Sequence, residues 1–395
     1  MNTPHCNRVV SNRQPDADFI QSLLEKIKRD LPIAVVHGGD RNVEGAVIRQ
    51  TRNPRSDKTY VSVASDIANS LIRLGFHQVD LIPEDMRIGE RMRQLKTGIA
   101  WLNTGGTQGF ASTAHASSMM EMFGMPYVGH NPMNAALLDN KHSFKHCLKG
   151  MGIATPQFLV CDFKNPDLID EVFLQFDKVF EGVEYLVVKP VSGRASLHVH
   201  RVAGKQEARE VAKQVHLATG NLVLIEQFIP GAEYTIAVNG PCISVGRQIS
   251  ELDAPFTFSA TRRTMEADEP IFTSMDVRPI GLDRCQILDP WADHDKAIVS
   301  SLSDIAARIY KNFGLETMVR VDIRADEAGR LYVLEANPKP DLKRPSEAGF
   351  SFVSGGLSHF GMDYDDLILS TFVDRIHFLL THRRDMIPQI TELLR

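Results

Sequence analysis

The amino-acid sequence predicts an α/β first half built on a doubly wound parallel sheet, followed by an α+β second half with an antiparallel sheet. Over residues 31–136, short apolar runs alternate with segments of helical periodicity, which is typical of a parallel sheet covered by helices. Beyond residue 137, β-type runs follow one another more closely, and only a few long helices separate them. The length of 395 residues suggests two or three domains, at about 100–200 residues each.

The first predicted element is a helix that follows a polar N-terminal arm, and the two together occupy residues 1–30. Apolar residues recur at helical spacing between Phe19 and Ile27, and Asp16 or Asp18 can cap the start of the helix. The arm lacks the apolar region of a signal peptide, and no stretch approaches the ~18 apolar residues of a membrane-spanning helix. Five scattered cysteines without a CxxC pair favour a reducing compartment, so we expect a cytoplasmic protein.

The parallel sheet is predicted from four apolar runs in the domain formed by residues 31–136. These runs lie at residues 33–36, 79–82, 98–102 and 126–129. Helical patterns separate them at residues 60–74, 85–95 and 112–123. In sheets of this kind, ligands bind at the carboxyl ends of the strands, where we expect them here.

The second half is predicted to contain eight strands and four helices, divided into domains 137–228 and 229–395. The strands are expected at residues 157–161, 185–189, 198–202, 223–227, 234–238, 242–248, 319–325 and 331–336. The helices are expected at residues 139–151, 206–219, 293–313 and 363–383.

Composition and charge narrow the class of protein. The 44 Lys and Arg residues against 49 Asp and Glu residues give a formal net charge of −5, without a basic block. This balance argues against a dedicated nucleic-acid binder, whose affinity comes mostly from phosphate contacts. The hydrophobic fraction of 43% provides ample material for a core, which excludes a disordered or fibrous chain.

The most informative segment is a predicted hairpin between Met318 and Pro338. Strand alternation places Arg320, Asp322 and Arg324 on one face, and it places Glu335 and Asn337 together on the returning strand. Two carboxylates and an amide oxygen form the kind of all-oxygen site that Mg²⁺ prefers. Arg320 beside such a metal is suited to stabilise negative charge that develops during a reaction. The alternative is a solvated hairpin with cross-strand ion pairs.

Two further segments carry weaker patterns. Lys189 ends an apolar strand and precedes a loop of small residues whose N–H groups can fold over phosphates. Glu226 interrupts another apolar strand, and Glu233 follows seven residues later, where it could accept a ribose hydroxyl. The alternatives are a surface lysine at the end of a strand, and a partly exposed edge strand with a turn at Pro230-Gly231.

Taken together, these residues occur in the order and approximate spacing of the ATP-grasp superfamily, and from about residue 32 onward the chain resembles D-alanine–D-alanine ligase and its natural-product ligase relatives. The resemblance rests on the stretches GMPYVGHNPMNAALLDNK ending at Lys141, VVKP at 187–190, EQFIPGAEYT at 226–235, RVDI at 320–323 and LEANPKP at 334–340. It implies an ATP-grasp fold with an N-terminal α/β domain, a lid domain over 137–228 and a catalytic domain over 229–395.

The resemblance also implies roles for individual residues. The residues expected to bind ATP are Lys141, Lys189, Ser196, Glu226, Gln227, Ile229, Glu233 and, by a loose alignment, Arg262. Asp322, Glu335 and Asn337 are expected to hold Mg²⁺, or Mn²⁺ in its place, and Arg320 to stabilise a tetrahedral intermediate. The residues expected to contact substrate are Glu44, Asn103, Asp341, Lys343, Arg344 and Ser346.

The sequence departs from D-alanine–D-alanine ligases on the substrate side. Residues 103–109 lack the histidine and the acid of the corresponding loop, only Ser196 remains of a serine pair, and Asp341 replaces a glycine. We therefore expect an ATP-dependent ligase of natural-product assembly that joins an amino-acid amine to a carboxylate or carbonyl activated by phosphorylation. We expect it to act on small molecules as a homodimer. The alternatives are an imine-forming ligase of the mycosporine-like amino acid type, acting on a cyclohexenone, and a nucleotide-binding regulator without catalysis.

Overall fold

The first half of the chain folds around a four-stranded parallel sheet. The computed structural model describes residues 16–40, 42–43, 59–108, 111–193, 196–266, 269, 271, 281–346 and 350–394. The strands are β1 Ile33–Gly38, β2 Val79–Glu84, β3 Ile99–Asn103 and β4 Tyr127–Val128, in the order β2-β1-β3-β4. The order reverses between β1 and β3, so the carboxyl ends of these two strands flank the point where such sheets bind ligands.

Four helices cover this sheet, and their apolar faces explain where they pack. They are α1 Ala17–Asp30, α2 Val61–Arg73, α3 Ile88–Gln94 and α4 His115–Phe123. The predicted helix after the arm is α1, which Asp16 caps by accepting a hydrogen bond from the Phe19 N–H at 2.9 Å. The buried face of α1 joins that of α2 in one core with a long C-terminal helix, which ties the two ends of the chain together.

Helices α5 Pro132–Asp139 and α6 Lys141–Gly150 lead from the parallel sheet into the second half. The sequence predicts a single helix over 139–151, but the backbone is extended at Asn140, whose side chain caps α6 by accepting from the Ser143 N–H. Leu138, Phe144 and Leu148 pack into the core of the C-terminal sheet. Both helices therefore pack with the C-terminal sheet. The domain boundary predicted at residue 137 instead assigns α6 and the end of α5 to the lid.

The lid is a four-stranded antiparallel sheet with helices on one face. Its strands are β5 Phe158–Cys161, β6 Tyr185–Pro190, β7 His200–Ala203 and β8 Val223–Gln227, in the order β5-β8-β6-β7. Its helices are α7 Pro166–Leu174, α8 Phe176–Val179 and α9 Gly204–Thr219, of which the sequence indicated only α9. Alternate strand residues such as Leu186 and Val188 pack against these helices in a separate core.

A six-stranded antiparallel sheet forms the centre of the C-terminal part. Its path is β14-β13-β9-β15-β16, with β12 pairing β9. The strands of this part are β9 Glu233–Asn239, β10 Cys242–Val245, β11 Gln248–Glu251, β12 Phe256–Thr257, β13 Thr261–Arg263, β14 Cys285–Ile287, β15 Val319–Ala325 and β16 Leu331–Asn337. The helices are α10 Asp293–Asn312, α11 Tyr364–His382 and α12 Pro388–Thr391.

The expected strand over 242–248 is instead a separate hairpin of β10 and β11. Gly246 and Arg247 both have positive φ, at 56° and 68°, which reverses the chain within two residues. In the part of the chain that the structure describes, no helix is both long enough and apolar enough to cross a membrane.

Candidate functional site

A cleft of about 790 Å³, including its open side, lies between the lid sheet and the C-terminal sheet. Strands β6 and β8 contribute Lys189 and Glu226 from the lid, while β15 and β16 contribute Asp322 and Glu335 from the opposite wall. The two faces therefore bring charged side chains from distant parts of the sequence around one cavity.

Glu226 lies at the back of the cleft between two buried lysines. Its carboxylate oxygens contact Lys189 Nζ at 2.5 Å and Lys145 Nζ at 2.9 Å. Burial opposes its ionisation, but the two ammonium groups outweigh that effect and lower the pKa of Glu226. For Lys145, burial prevails and lowers the pKa to about 8, whereas nearby carboxylates outweigh burial and raise the pKa of Lys189.

Lys145 also fixes the position of this cluster within the fold. It donates to Thr155 Oγ1 at 2.7 Å, and Thr155 in turn donates to the Val333 carbonyl of β16 at 2.8 Å. Lys145 thus connects lid strand β8 with the C-terminal sheet.

One helical turn before Lys145, Lys141 reaches across the mouth of the cleft. Its ammonium contacts Glu335 Oε2 at 3.2 Å and donates to the Gly193 carbonyl at 3.1 Å. Burial opposes ionisation of Glu335, but Lys141, Lys189 and Arg320 outweigh it and hold the pKa of Glu335 at about 2. Lys141 therefore links the hairpin of β15 and β16, which carries the predicted metal ligands, to the loop that follows Lys189.

The β15–β16 hairpin pairs the residues that the sequence predicted to face one another. Asp322 lies directly opposite Glu335, and Arg320 opposite Asn337. Asp322 is buried, and it accepts hydrogen bonds from Thr235 at 3.0 Å, Arg320 at 3.1 Å and Asn337 at 3.3 Å. A network of charged and neutral donors thus holds this carboxylate in place.

Arginines extend this network along the same wall. Arg263 contacts Glu233 Oε1 at 2.5 Å and Asp322 Oδ2 at 3.3 Å. Arg324 lies 3.9 Å from Glu233 and 4.6 Å from the ring centroid of Phe228. Burial alone would lower the pKa of Arg263, but Asp322 and Glu233 outweigh it and raise that pKa.

The charges of the cleft suit a polyanionic ligand. Four carboxylates are paired among six cationic side chains, which are Lys141, Lys145, Lys189, Arg263, Arg320 and Arg324. The excess of positive charge favours phosphate groups, and Lys189 stands where the small-residue loop begins.

The hairpin also carries a donor set that could hold a divalent cation. Within the described residues, no three His, Cys, Asp or Glu side chains are gathered as a complete metal site. Two opposed carboxylates with the Asn337 amide nevertheless suit Mg²⁺, which usually takes one or two protein carboxylates and completes its shell with water and substrate phosphate.

Most of the predicted ATP-site residues come together. The residues that line the cleft are Lys141, Lys189, Ser196, Glu226, Gln227, Ile229, Glu233, Asp322 and Glu335. Arg320 and Asn337 contact Asp322 behind this lining. The backbone N–H of Gln227 is engaged within the protein, because it donates to the Gln157 carbonyl at 2.8 Å.

Arg262 is the exception on the nucleotide side. It is exposed, whereas its neighbour Arg263 enters the cleft from the opposite face of β13. Alternation along a strand turns adjacent side chains to opposite faces, so the loose alignment selected the arginine that points away from the cleft.

The predicted substrate residues lie apart from this cleft, toward the first domain. Asn103 is buried at the end of β3, while Asp341 and Lys343 lie on the segment after β16. Arg344 and Ser346 are exposed, and the Arg344 N–H donates to Asp66 of α2 at 3.0 Å. Glu44 lies outside the described residues.

Lys145, which contacts Glu226 behind the cleft lining, was not expected from the sequence. It follows Lys141 by four residues, so both point from one face of α6, which is a pattern that could have indicated it. Arg324 was placed by alternation on the face of Arg320 and Asp322, and its position in the cleft lining agrees with that placement.

Comparisons with known proteins agree with this geometry. The family described as D-ala D-ala ligase C-terminus matches residues 147–372. A D-alanine–D-alanine ligase of Marinomonas sp. is 24% identical over 353 residues, covering 87% of this chain and 96% of that protein. D-alanine–D-alanine ligase B of Chromobacterium violaceum is 26% identical over 273 residues, covering 68% of this chain and 77% of that protein.

Solved structures show the same fold. The D-alanine–D-alanine ligase of Bacillus anthracis complexed with ATP superposes with a TM-score of 0.62 at 17% identity, covering 90% of this chain and 99% of that one. The VanG D-Ala:D-Ser ligase of Enterococcus faecalis gives a TM-score of 0.61 at 17% identity, covering 87% and 99%. These likenesses confirm the predicted ATP-grasp fold. Because the family match spans more than half of the chain, this protein belongs to the D-alanine–D-alanine ligase C-terminus family and is an ATP-grasp carbon–nitrogen ligase.

Proposed function

We propose that this ligase transfers the γ-phosphoryl group of ATP to an oxygen of one small-molecule substrate and joins the amine of an amino acid to the activated carbon. One observation carries the proposal: the Arg320, Asp322, Glu335 and Asn337 hairpin faces Lys189 and Glu226 across a single cleft. Such a set of paired charges provides both phosphate positioning and stabilisation of developing negative charge.

In this proposal two lysines, Lys141 and Lys189, hold the nucleotide phosphates. Lys189 and Lys141 would exchange part of their present contacts with Glu226 and Glu335 for phosphate oxygens. Glu226 would accept from the adenine amino group, and Glu233 from the ribose. Asp322, Glu335 and Asn337 would hold Mg²⁺, which supplies Lewis-acid polarisation of the phosphate oxygens when bound.

The chemical steps need few groups from the protein. A substrate carboxylate oxygen attacks the γ-phosphorus, the bond to ADP breaks, and an acyl phosphate forms. The amine then attacks the carbonyl carbon, phosphate leaves, and the nitrogen loses a proton. Arg320 stands beside Asp322 and would stabilise the negative oxygen of the tetrahedral intermediate.

The lid supports this chemistry by excluding water. Lys141 already ties the Gly193 carbonyl of the loop to Glu335 of the hairpin, so closure of the loop over a bound nucleotide would shield the acyl phosphate. Exposed acyl phosphates would otherwise hydrolyse.

We place the substrates outside cell-wall D-Ala–D-Ala synthesis, in natural-product assembly, with a homodimer as the working form. The support comes from the substrate side, where Asp341 is half-buried and its partial burial raises its pKa. A carboxyl group at this position would repel an acyl phosphate, so it suits a cationic substrate group instead. Residues 102–109 likewise lack the histidine and the acid that the corresponding loop of D-alanine–D-alanine ligases carries.

The test is phosphorus NMR of ATP with Mg²⁺ and the protein, with pooled amino acids and with either pooled carboxylates or pooled cyclic ketones. We expect ADP and phosphate only when an amino acid and a co-substrate are both present. A requirement for the ketone pool would identify the imine-forming reaction, and turnover with D-alanine alone would identify the cell-wall reaction. Release of AMP and pyrophosphate would contradict the mechanism, and ATP binding without turnover in any mixture would favour a regulator.

A further inference from the structure

Tyr60 and Lys339 meet where the first domain contacts the segment after β16. The Lys339 ammonium lies 3.6 Å from the centroid of the Tyr60 ring, within the range of a cation–π interaction. Lys339 follows Asn337 of the hairpin by two residues, so it lies close along the chain to the proposed metal ligands. It connects that site with the carboxyl ends of the parallel strands.

The backbone around Tyr60 is held in an unusual conformation. Tyr60 has a φ of 55°, in the left-handed region that a bulky residue rarely adopts. Two hydrogen bonds fasten it to the sheet: the Gly38 N–H donates to the Thr59 carbonyl at 2.8 Å, and Asn103 Nδ2 donates to the Tyr60 carbonyl at 3.3 Å. Strained residues that their surroundings hold in place cluster at ligand sites.

Lys339 also lines a small pocket, partly open to solvent, between the two parts of the molecule. Leu102, Thr104 and Gly129 line its other side, at the ends of β3 and β4. His130 lies there as well, buried and uncharged because burial lowers its pKa to about 4. Lys339 is therefore the charged side chain among the residues that line this cavity.

Asp341 provides an opposite charge close to Lys339. Burial raises the pKa of Asp341, while Lys339, Arg320 and Lys343 act electrostatically in the other direction. The segment therefore carries a cation and an acid two residues apart, and the acid is within electrostatic reach of Arg320. An amino acid carries the complementary pair, an ammonium and a carboxylate.

We propose that Lys339, positioned by the Tyr60 ring, binds the carboxylate of the amino-acid substrate while Asp341 receives its ammonium group. This inference rests on the proposed function and deepens it, because it assigns the amine substrate to the junction between the first domain and residues 339–341. Lys339 then determines specificity: it selects an amino acid over an uncharged amine. Asp341 places the nitrogen toward Arg320, where the activated carbon would stand.

The test compares an amino acid with its primary amide. The probe is the amino acid that gives the fastest ADP release among the twenty proteinogenic amino acids and D-alanine, assayed with ATP, Mg²⁺ and the co-substrate pool. The variants are Lys339→Met, Lys339→Arg, Tyr60→Leu and Tyr60→Phe, with Lys296→Met on the exposed face of α10 as the control. Melting temperature and the KM for ATP are measured for each variant.

We expect Lys339→Met to raise the KM for the amino acid about tenfold or more, because a charge-assisted contact to the carboxylate is lost. Its kcat and its KM for ATP should stay within about twofold of wild type, and it should no longer distinguish acid from amide. Lys339→Arg should restore the discrimination. Tyr60→Leu should raise the KM for the amino acid and reduce the discrimination in the same way as Lys339→Met, but by less. Tyr60→Phe keeps the ring and should match wild type.

Two results would overturn the inference while leaving the proposed function intact. One is a Lys339→Met enzyme with unchanged KM and unchanged discrimination. The other is a loss of melting temperature, ATP affinity and amino-acid affinity in proportion, since that is what a purely structural contact between domains would give. If the wild type releases no ADP with any amino acid, and none raises its melting temperature in the presence of Mg²⁺ and adenylyl imidodiphosphate, both proposals fail together.

Discussion

The nucleotide cleft and the substrate side of this ligase are built in different ways. In the cleft, every charged side chain described above stands on a regular strand or helix, and carboxylates such as Glu226 and Asp322 each contact two cations. On the substrate side, Lys339, Asp341 and Tyr60 lie outside the regular strands and helices. The stretches on which the resemblance to D-alanine–D-alanine ligases rests include the charged residues of the cleft, whereas the departures noted in the sequence fall among the residues expected to contact substrate.

This contrast separates two parts of the proposed reaction. Phosphoryl transfer would be shared with related ligases, and the choice of substrate would be particular to this enzyme. Phosphoryl transfer from ATP needs a fixed array of charges, which regular elements position accurately. Substrate choice can change by substitution in loops without disturbing that array. Changes in the cleft should therefore affect turnover or stability strongly, while changes on the substrate side should affect affinity and pH response.

The largest effect is expected from Glu335→Gln in the cleft. Replacing this carboxylate weakens the proposed Mg²⁺ site, so kcat should fall by about 1,000-fold. The Glu335 side chain is 28% exposed, so the fold should persist, with a melting temperature lowered by the loss of the carboxylate beside Lys141, Lys189 and Arg320. The control is Glu327→Gln in the exposed turn between β15 and β16. A Glu335→Gln enzyme with near-normal kcat would refute the metal assignment.

A large loss of stability is expected from Lys145→Met. This change leaves the buried Glu226 with Lys189 as its remaining cationic contact and removes the donor to Thr155, so the free energy of unfolding should fall by roughly 3 kcal/mol. Denaturant unfolding measures the effect. Lys149→Met, one turn later and exposed over the Phe158 ring, serves as the matched control and should cost less than about 1 kcal/mol. Equal losses in the two variants would show that the Glu226 cluster is not specially stabilised.

An intermediate effect is expected when the neighbouring arginines of β13 are compared. Arg263→Met removes the contacts to Glu233 and Asp322, so the KM for ATP should rise about tenfold. Arg262→Met alters an exposed side chain on the opposite face and should change the KM by less than about twofold. Steady-state kinetics of both variants provide the measurement, and the reverse ranking would restore Arg262 as the phosphate contact.

The effect expected on the substrate side is spread over a range of pH and comes from His130. Burial lowers the pKa of His130 to about 4, with Arg375 acting in the same direction and Glu316 in the opposite one. Its contribution to stability is therefore present above pH 6.5 and is lost as the pH falls toward 4, by up to about 1.4 kcal/mol per pH unit. Unfolding measurements from pH 7 to 4.5 should show a shallower slope for His130→Gln than for wild type. Parallel slopes would show that His130 is not the group that titrates.

The sequence by itself determined the order of the elements and the faces of the strands. Period-two alternation placed Arg320 with Asp322 and Glu335 with Asn337, and the register of β15 and β16 confirms that Asp322 and Glu335 are opposed. Local periodicity is enough for this result, because a hairpin joins residues that are close in the chain. Together with the motifs at Lys141, Lys189 and Glu226, it was enough to predict the ATP-grasp fold.

Only the tertiary structure decided how these elements meet. The choice of Arg263 over Arg262 depends on a one-residue register, and the break at Asn140 depends on a cap that a helical pattern does not reveal. The Lys145–Glu226 pair and the Lys339–Tyr60 contact join residues far apart in the chain. Which residues meet in such pairs depends on how the sheets pack around separate cores. Local sequence periodicity describes each element alone, so it carries no information about that packing.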